Sequence, residues 1–163
     1  MWLIIAALGA IAPISPHILV IGQPAAIVHR ALQGALLRLT APGCQQVFDD
    51  FIGRNGLSLA NTIASTGKSP SNLLGDLYFA DGDETVQCRT DEGLAMFTAL
   101  GSHVVHVCTK RFGRLAAKPD RAEMLVIHEL LHTLGLGERP PTSAYITSVV
   151  TRRCLGSTID LDR

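Results

Sequence analysis

Apolar residues recur mainly at helical spacing in the first part of the chain. A first helix is predicted to begin at Pro24, which suits a first helical turn, and to end before Pro42-Gly43. Shorter helices are predicted over 44–51 and 57–63, followed by a loop of Gly, Ser and Pro that extends through Ser71. The apolar positions that define the first helix are Ile27, Val28, Ala31, Leu32, Ala35, Leu36 and Leu39.

The pattern changes to that of short strands in the middle of the chain. Residues 77–79 and 85–88 flank the turn sequence Asp81-Gly82-Asp83, and together they predict a hairpin. Residues 103–108, with the sequence HVVHVC, are the strongest strand candidate. His103 and His106 lie three positions apart and therefore face opposite sides of a strand, which favours structural or surface roles over a shared metal.

Two helices are predicted in the last third of the chain. Pro119 begins one that is apolar nearly all round, is therefore expected to be buried, and ends at Gly135. Thr142 or Ser143 is expected to cap a closing helix that ends near Cys154. Helices combined with a few strands predict an α+β fold in which a short mixed or antiparallel sheet packs against the buried helix.

An apolar N-terminal segment, 1–22, is set apart from the single domain predicted over 23–163. The run from Met1 to Ile14 is almost entirely apolar, but it is shorter than the roughly 20 residues that a membrane-spanning helix needs. It is typical of a secretory signal, although no Lys or Arg precedes it. The alternatives are a misassigned start codon and an apolar segment that packs on the domain. A signal would predict an exported protein, periplasmic or extracellular, that contacts a membrane only through this segment.

The four cysteines are well separated and form no CxxC pair, which is typical of disulfides in an exported protein. Of the three possible pairings we favour Cys88 with Cys108, on neighbouring strand-like segments, and Cys44 with Cys154, which would tie the two ends together. Four free thiols in a cytoplasmic protein are the alternative. Fourteen Lys and Arg residues balance fourteen Asp and Glu residues, so the composition indicates no partner among nucleic acids or anionic lipids.

One motif in the predicted buried helix carries chemistry. His128 and His132, at positions i and i+4, lie on one helix face with Cβ atoms roughly 5–6 Å apart, and both imidazoles can therefore bind one Zn²⁺. Glu129 is rotated about 100° from His128 and can act as general base on a water that the metal activates. A buried helix of Leu, Ile and Val would not carry these polar residues without partners, because burying them unpaired costs several kcal/mol, roughly.

The residues that follow extend the motif. His128 to Glu138 has the sequence HELLHTLGLGE, or HExxHxxGxxE, which resembles the metzincin branch of the zincin metallopeptidases, whose signature is HExxHxxGxxH with Asp last in some members. The resemblance implies a zincin-like domain, hydrolysis of peptide bonds, a sharp turn at Gly135 and a third metal ligand at Glu138. A carboxylate is a legitimate zinc ligand, whereas the alternative for Glu138 is a cap or a surface carboxylate.

The chain departs from the metzincin pattern in two respects. Met1, Met96 and Met124 all precede the motif, so the Met-turn of that family is absent, and only 25 residues follow Glu138. The gluzincin alternative, in which a later helix supplies a Glu ligand, has no later Glu to use and leaves only Asp160 and Asp162.

The sequence therefore predicts a zinc-dependent peptidase whose partner is a peptide or protein substrate. We expect residues 103–108 to form the edge strand that binds this substrate, with Val105 and Val107 as contact residues. Tyr145 is a further candidate, for a hydrogen bond to the reacting carbonyl, although a lone Tyr on a helix is more often a packing residue. The alternative function is a non-catalytic domain that zinc stabilises and that binds a partner.

Overall fold

The computed structural model describes residues 15–156, which contain a small mixed sheet, eight α-helices and two short 3₁₀-helices. The predicted signal in the first 14 residues and the substitute ligands Asp160 and Asp162 lie outside these residues. The strands are β1 (His17–Ile18), β2 (Tyr78–Asp81), β3 (Met96–Thr98) and β4 (Val104–Val107). The helices are α1 (Gln23–Arg38), α2 (Pro42–Gln45), α3 (Leu59–Thr66), α4 (Pro70–Gly75), α5 (Val86–Thr90), α6 (Thr109–Gly113), α7 (Pro119–Thr133) and α8 (Ser143–Cys154).

The strands pair in the order β1-β2-β4-β3. The first three are parallel, with Phe79 opposite Val105, whereas β3 runs antiparallel to β4, with Met96 opposite Val107. The sheet is therefore mixed, which is one of the two kinds that the sequence predicts, and the fold is α+β. Strand β3 forms one edge, and its outer side is free to line a cleft.

Helix α7 is the central element of the core. It packs against α1, α8 and β3, and most of its side chains are buried, as its all-round apolar pattern predicts. Arg38, at the end of α1, joins the two longest helices through ion pairs with Asp120 (2.6 Å) and Glu123. The buried side chains of α7 are Ala122, Met124, Val126, Ile127, His128, Glu129, Leu130, Leu131 and His132.

Two disulfides join distant parts of the chain. Cys44 bonds to Cys154, which fastens α2 to the end of α8, and Cys88 bonds to Cys108. This is the pairing that the sequence analysis favours, and it fits an exported protein. Within residues 15–156 no helix is both long and apolar enough to cross a membrane.

Three sequence-based predictions are wrong. The predicted hairpin fails because its second half, 85–88, begins helix α5, which is capped by the Thr85 hydroxyl as it accepts from the Cys88 N–H. The loop predicted through Ser71 contains the start of α4, which Ser69 caps in the same way. Strand β4 was expected at the edge, but it lies between β2 and β3, and Val105 and Val107 are fully buried. These two valines therefore cannot contact a substrate.

Candidate metal centre

Helix α7 brings the two histidines together, and the turn that follows it brings Glu138 back to them. The Gly135 N–H donates to His132 O, and the Leu136 N–H donates to Leu131 O, which is the hydrogen-bond pattern of a Schellman turn. Gly135 has φ = +98°, a conformation that only glycine adopts at little cost. Leu136, which follows this turn, is buried beside the helix. The chain reverses here, and Glu138, two residues later, lies next to the histidines.

Three side-chain atoms converge at this turn. His128 Nε2 lies 2.9 Å from His132 Nε2, and Glu138 Oε1 lies 3.2 Å from His132 Nε2 and 3.6 Å from His128 Nε2. Four ligands at the usual zinc distances of about 2.0–2.1 Å, arranged tetrahedrally, are about 3.3–3.4 Å apart. The three observed separations therefore bracket the value expected for three corners of a tetrahedral zinc site.

The other ring nitrogen of each histidine is held by a neighbouring oxygen. His132 Nδ1 lies 2.6 Å from the carbonyl of Leu136, which can only accept, so this nitrogen carries a proton, and in the neutral ring Nε2 has a free lone pair. His128 Nδ1 lies 3.0 Å from the Thr147 hydroxyl on α8, which can accept or donate. Such second hydrogen bonds fix the ring orientation of metal-binding histidines.

The electrostatics of the cluster favour a positive centre. With Nδ1 protonated, neutral His132 presents a lone pair to a carboxylate oxygen, an arrangement that is repulsive unless a proton or a metal ion lies between the atoms. The pKa of His128 is lowered to about 4, chiefly by burial and next by His132, while Glu138 acts in the opposite direction. His128 is therefore neutral at pH 7, which is the form that binds metals.

Glu129 is a buried carboxyl group at the edge of the same cluster. Its side chain is only 4% exposed, and its Oε2 has no hydrogen-bond partner among the described residues. The pKa of Glu129 is raised well above its ordinary value, chiefly by burial and next by the charge of Glu138, against the lowering effect of the Thr98 backbone N–H. An unpartnered carboxyl oxygen in this position needs an explanation, because its burial is costly.

A cleft of about 640 Å³ opens onto the cluster. The cleft is lined by a stripe along α7 that contains Arg121, Leu125, His128, Glu129 and His132, and by strand β3. The Cys108 N–H donates to Ala95 O, so the alternation of an antiparallel ladder directs the backbone polar groups of Met96 and Thr98 away from β4. The free edge of the sheet thus lines the cleft.

The predicted site residues divide into two groups. His128, Glu129, His132 and Glu138 come together in the cleft, whereas Val105 and Val107 lie in the core. Tyr145 does not line the cleft; it is exposed, and its ring packs edge-on against Phe51 with a centroid distance of 6.2 Å.

Sequence reasoning missed three features of the site. Strand β3, with Met96 and Thr98, has only three residues and gives no readable alternation. Thr147, which orients His128, lies 19 positions further along the chain with no pattern to mark it. The Leu136 carbonyl, which lies beside His132 Nδ1, is a backbone group that no residue type marks in the sequence.

Among the residues that the structure describes, His128, His132 and Glu138 form the one group of three such side chains positioned to hold a metal ion. No protein-family model, no curated protein and no solved structure matches this chain.

Proposed function

We propose that this protein is a zinc-dependent peptidase of a metzincin-like kind, exported to the periplasm or the extracellular space. The observation that carries the proposal is the convergence of His128 Nε2, His132 Nε2 and Glu138 Oε1 at separations of 2.9–3.6 Å, beside a buried carboxyl group in an open cleft. Three protein ligands leave the fourth tetrahedral position free, which is typical of catalytic rather than structural zinc sites.

Each residue of the cluster has a role in this proposal. His128, His132 and Glu138 hold the zinc ion, which when bound lowers the pKa of a water molecule and polarises a peptide carbonyl. Glu129 takes a proton from the attacking water and passes it to the nitrogen of the departing amine. Burial raises the pKa of Glu129, and a zinc ion held by the three ligands would favour its charged form.

The free edge of β3 supports a peptide as the substrate. An extended peptide can add to such an edge through backbone hydrogen bonds, here with the N–H and C=O groups of Met96 and the C=O group of Thr98. The Thr98 N–H also acts on Glu129, so a peptide bound at this edge would lie beside the proposed base. This edge replaces the buried strand β4 as the proposed substrate-binding strand.

Metal content is the first test. We expect about one zinc ion per chain in the purified full-length protein, measured by mass spectrometry of the metal after dialysis. His132→Ala should lose the metal, whereas His29→Ala, which changes an exposed histidine on α1, should keep it. The site would be refuted if the wild-type protein contained no zinc and took up none when zinc was added. It would also be refuted if the two variants lost zinc equally.

Turnover is the second test. We expect the wild-type protein to cleave members of a mixed peptide library, and Glu129→Gln to slow cleavage by roughly 10²- to 10⁴-fold, the usual contribution of a general base, while zinc content stays unchanged. Glu84→Gln, at a solvent-exposed carboxylate, is the matched control. A Glu129→Gln variant that cleaves peptides at the wild-type rate would exclude the proposed base, and a zinc-loaded protein without peptidase activity would favour the non-catalytic alternative.

A further inference from the structure

Positive charge is concentrated along the cleft, although the chain has no formal net charge. Of the three carboxylates that line the cleft, Glu129 and Glu138 belong to the proposed centre, which leaves Glu92 alone against the cations. A smaller neighbouring hollow shares part of this wall and adds two cations, Arg89 and Lys110, and one carboxylate, Asp83. The cationic side chains of the main cleft are Arg54, Arg111, Arg114, Lys118 and Arg121.

Most of these cations are not neutralised by the protein itself. Arg114, Lys118 and Arg121 are exposed, and none of the ion pairs in residues 15–156 joins them to a carboxylate. Arg111 is fixed by the carbonyl groups of Cys88 and Leu94, which accept hydrogen bonds and leave its charge uncompensated. The wall is therefore a positive surface that an anionic ligand could neutralise.

Helix geometry gives the distance from this wall to the proposed centre. Arg121 precedes His128 by seven residues on the same stripe of α7, which corresponds to about 10 Å along the helix axis. An extended peptide advances by about 3.3 Å per residue, so a side chain that reaches Arg121 belongs to a residue about three positions from the reacting bond. Lys118 and Arg114 lie beyond Arg121, on the segment that leads into α7.

The direction of the bound peptide follows from the direction of β3. The Gly101 N–H donates to His132 O, so β3 leads toward the C-terminal end of α7 and runs roughly the same way as that helix. A peptide that pairs with β3 in the more stable antiparallel sense therefore has its C-terminal part at the end of the cleft that holds Arg114, Lys118 and Arg121.

We infer that the cleft selects peptides with an acidic side chain about three residues C-terminal to the cleaved bond, recognised by Arg114, Lys118 and Arg121. This rests on the proposed function, whose substrate class it names. A peptide is favoured over a nucleic acid because the free edge of β3 offers backbone hydrogen bonds. In addition, one face of the Phe97 ring is already stacked on His106, with centroids 5.0 Å apart, which leaves less aromatic surface for a base.

Binding is measured first, in the full-length Glu129→Gln protein, so that the result does not depend on turnover. The probes are two fluorescein-labelled ten-residue peptides of Ala and Ser, one with three consecutive Glu residues and one with Gln in their place. One exposed ion pair strengthens binding by up to about fivefold. We therefore expect the Glu peptide to bind about tenfold more tightly than the Gln peptide at low salt. The preference should weaken as ionic strength rises.

A charge-matched pair of variants locates the recognition. Arg114→Glu with Arg121→Glu should abolish the preference for the Glu peptide. Arg30→Glu with Arg152→Glu, at exposed positions outside the cleft, makes the same change in net charge and should preserve it. Equal affinity for the two peptides, equal losses in the two double variants, or tighter binding of an oligothymidylate of the same charge would overturn the inference.

Cleavage-site sequencing of the peptide library separates this inference from the proposed function. We expect Asp and Glu to be enriched about two- to tenfold at the third position after the cut, as one or two exposed ion pairs would produce. Cleavage without this enrichment would overturn the acidic preference and leave the peptidase proposal standing. Binding of the Glu peptide that depends on Arg114 and Arg121, in a protein that cleaves nothing, would refute the peptidase proposal and the placement relative to a cleaved bond, and would support only an anionic-peptide site.

Discussion

Thr147→Val should weaken zinc binding without changing any ligand. The Thr147 hydroxyl lies 3.0 Å from His128 Nδ1, and His128 is only 2% exposed, so no solvent molecule can easily take its place. Valine has the same shape as threonine but cannot accept or donate a hydrogen bond. The substitution therefore removes the hydrogen bond that orients the His128 ring and leaves the packing between α7 and α8 intact.

The magnitude follows from the role of such hydrogen bonds. Loss of an outer hydrogen bond to a metal-binding histidine lowers metal affinity by about 10- to 100-fold, which corresponds to about 1.4–2.7 kcal/mol. We expect the zinc dissociation constant of Thr147→Val, measured by competition with a chromogenic chelator, to rise by this factor. Thr147→Ser keeps the hydroxyl group and should bind zinc almost as tightly as the wild-type protein.

Thr151→Val is the matched control for this measurement. Thr151 lies one turn further along α8, is also half-buried, and its hydroxyl donates to the carbonyl of Thr147 within the same helix. Its replacement should leave zinc affinity unchanged. The reasoning would be refuted if Thr147→Val bound zinc as tightly as the wild-type protein, or if Thr151→Val lost as much affinity.

Three further predictions concern stability. Free zinc at 100 times its dissociation constant should raise the free energy of unfolding by about 2.7 kcal/mol, and thus Tm by about 5–11 °C in thermal denaturation; an equal rise in His132→Ala would contradict this. Removing the Cys44–Cys154 disulfide, which spans 110 residues, should lower the free energy of unfolding in urea by about 5 kcal/mol. Removing the Cys88–Cys108 disulfide, which spans 20 residues, should lower it by about 3 kcal/mol. The reverse order would refute the loop-entropy argument. Gly135→Ala meets no atom within 4 Å but must adopt φ = +98°, so it should cost about 1–2 kcal/mol; no loss would contradict this.

The elements that could be predicted from the sequence are those whose length exceeds one period of the pattern. Helices α1 and α7 have 16 and 15 residues, and each repeats its apolar spacing several times. Helix α5 has five residues and β3 has three, so neither repeats any spacing. For α4 and α5 a local signal was present nonetheless, because Ser69 and Thr85 each cap the helix that follows.

The wrong position of β4 has a different cause. The alternation in HVVHVC correctly indicates a strand, but whether a strand lies at an edge depends on what pairs with its far side. That partner is β3, the element that the pattern does not reveal. The buried side chains Val105 and Val107 were therefore mistaken for substrate contacts, and the true free edge was missed.

The candidate site was predictable only where it is local in sequence. Helix geometry alone brings His128 near His132, and the Gly135 turn brings Glu138 to both, all within eleven residues. Thr147 lies on α8, and Arg114 and Lys118 lie on the segment before α7, so only the packing of these elements brings them to the cluster. Such long-range contacts depend on topology, which no single spacing encodes.

The choice between a catalytic and a structural zinc site depends on Glu129. A structural site needs a closed set of ligands and derives no benefit from a buried carboxyl group that has no partner, because such a group costs free energy. Here Glu129 Oε2 is buried without a partner among residues 15–156, and it lies in the wall of an open cleft beside the three converging ligand atoms. A substrate or a water molecule in the cleft would supply the missing partner. The buried Oε2 of Glu129 beside the three converging atoms therefore supports the proposed catalytic site over the structural alternative.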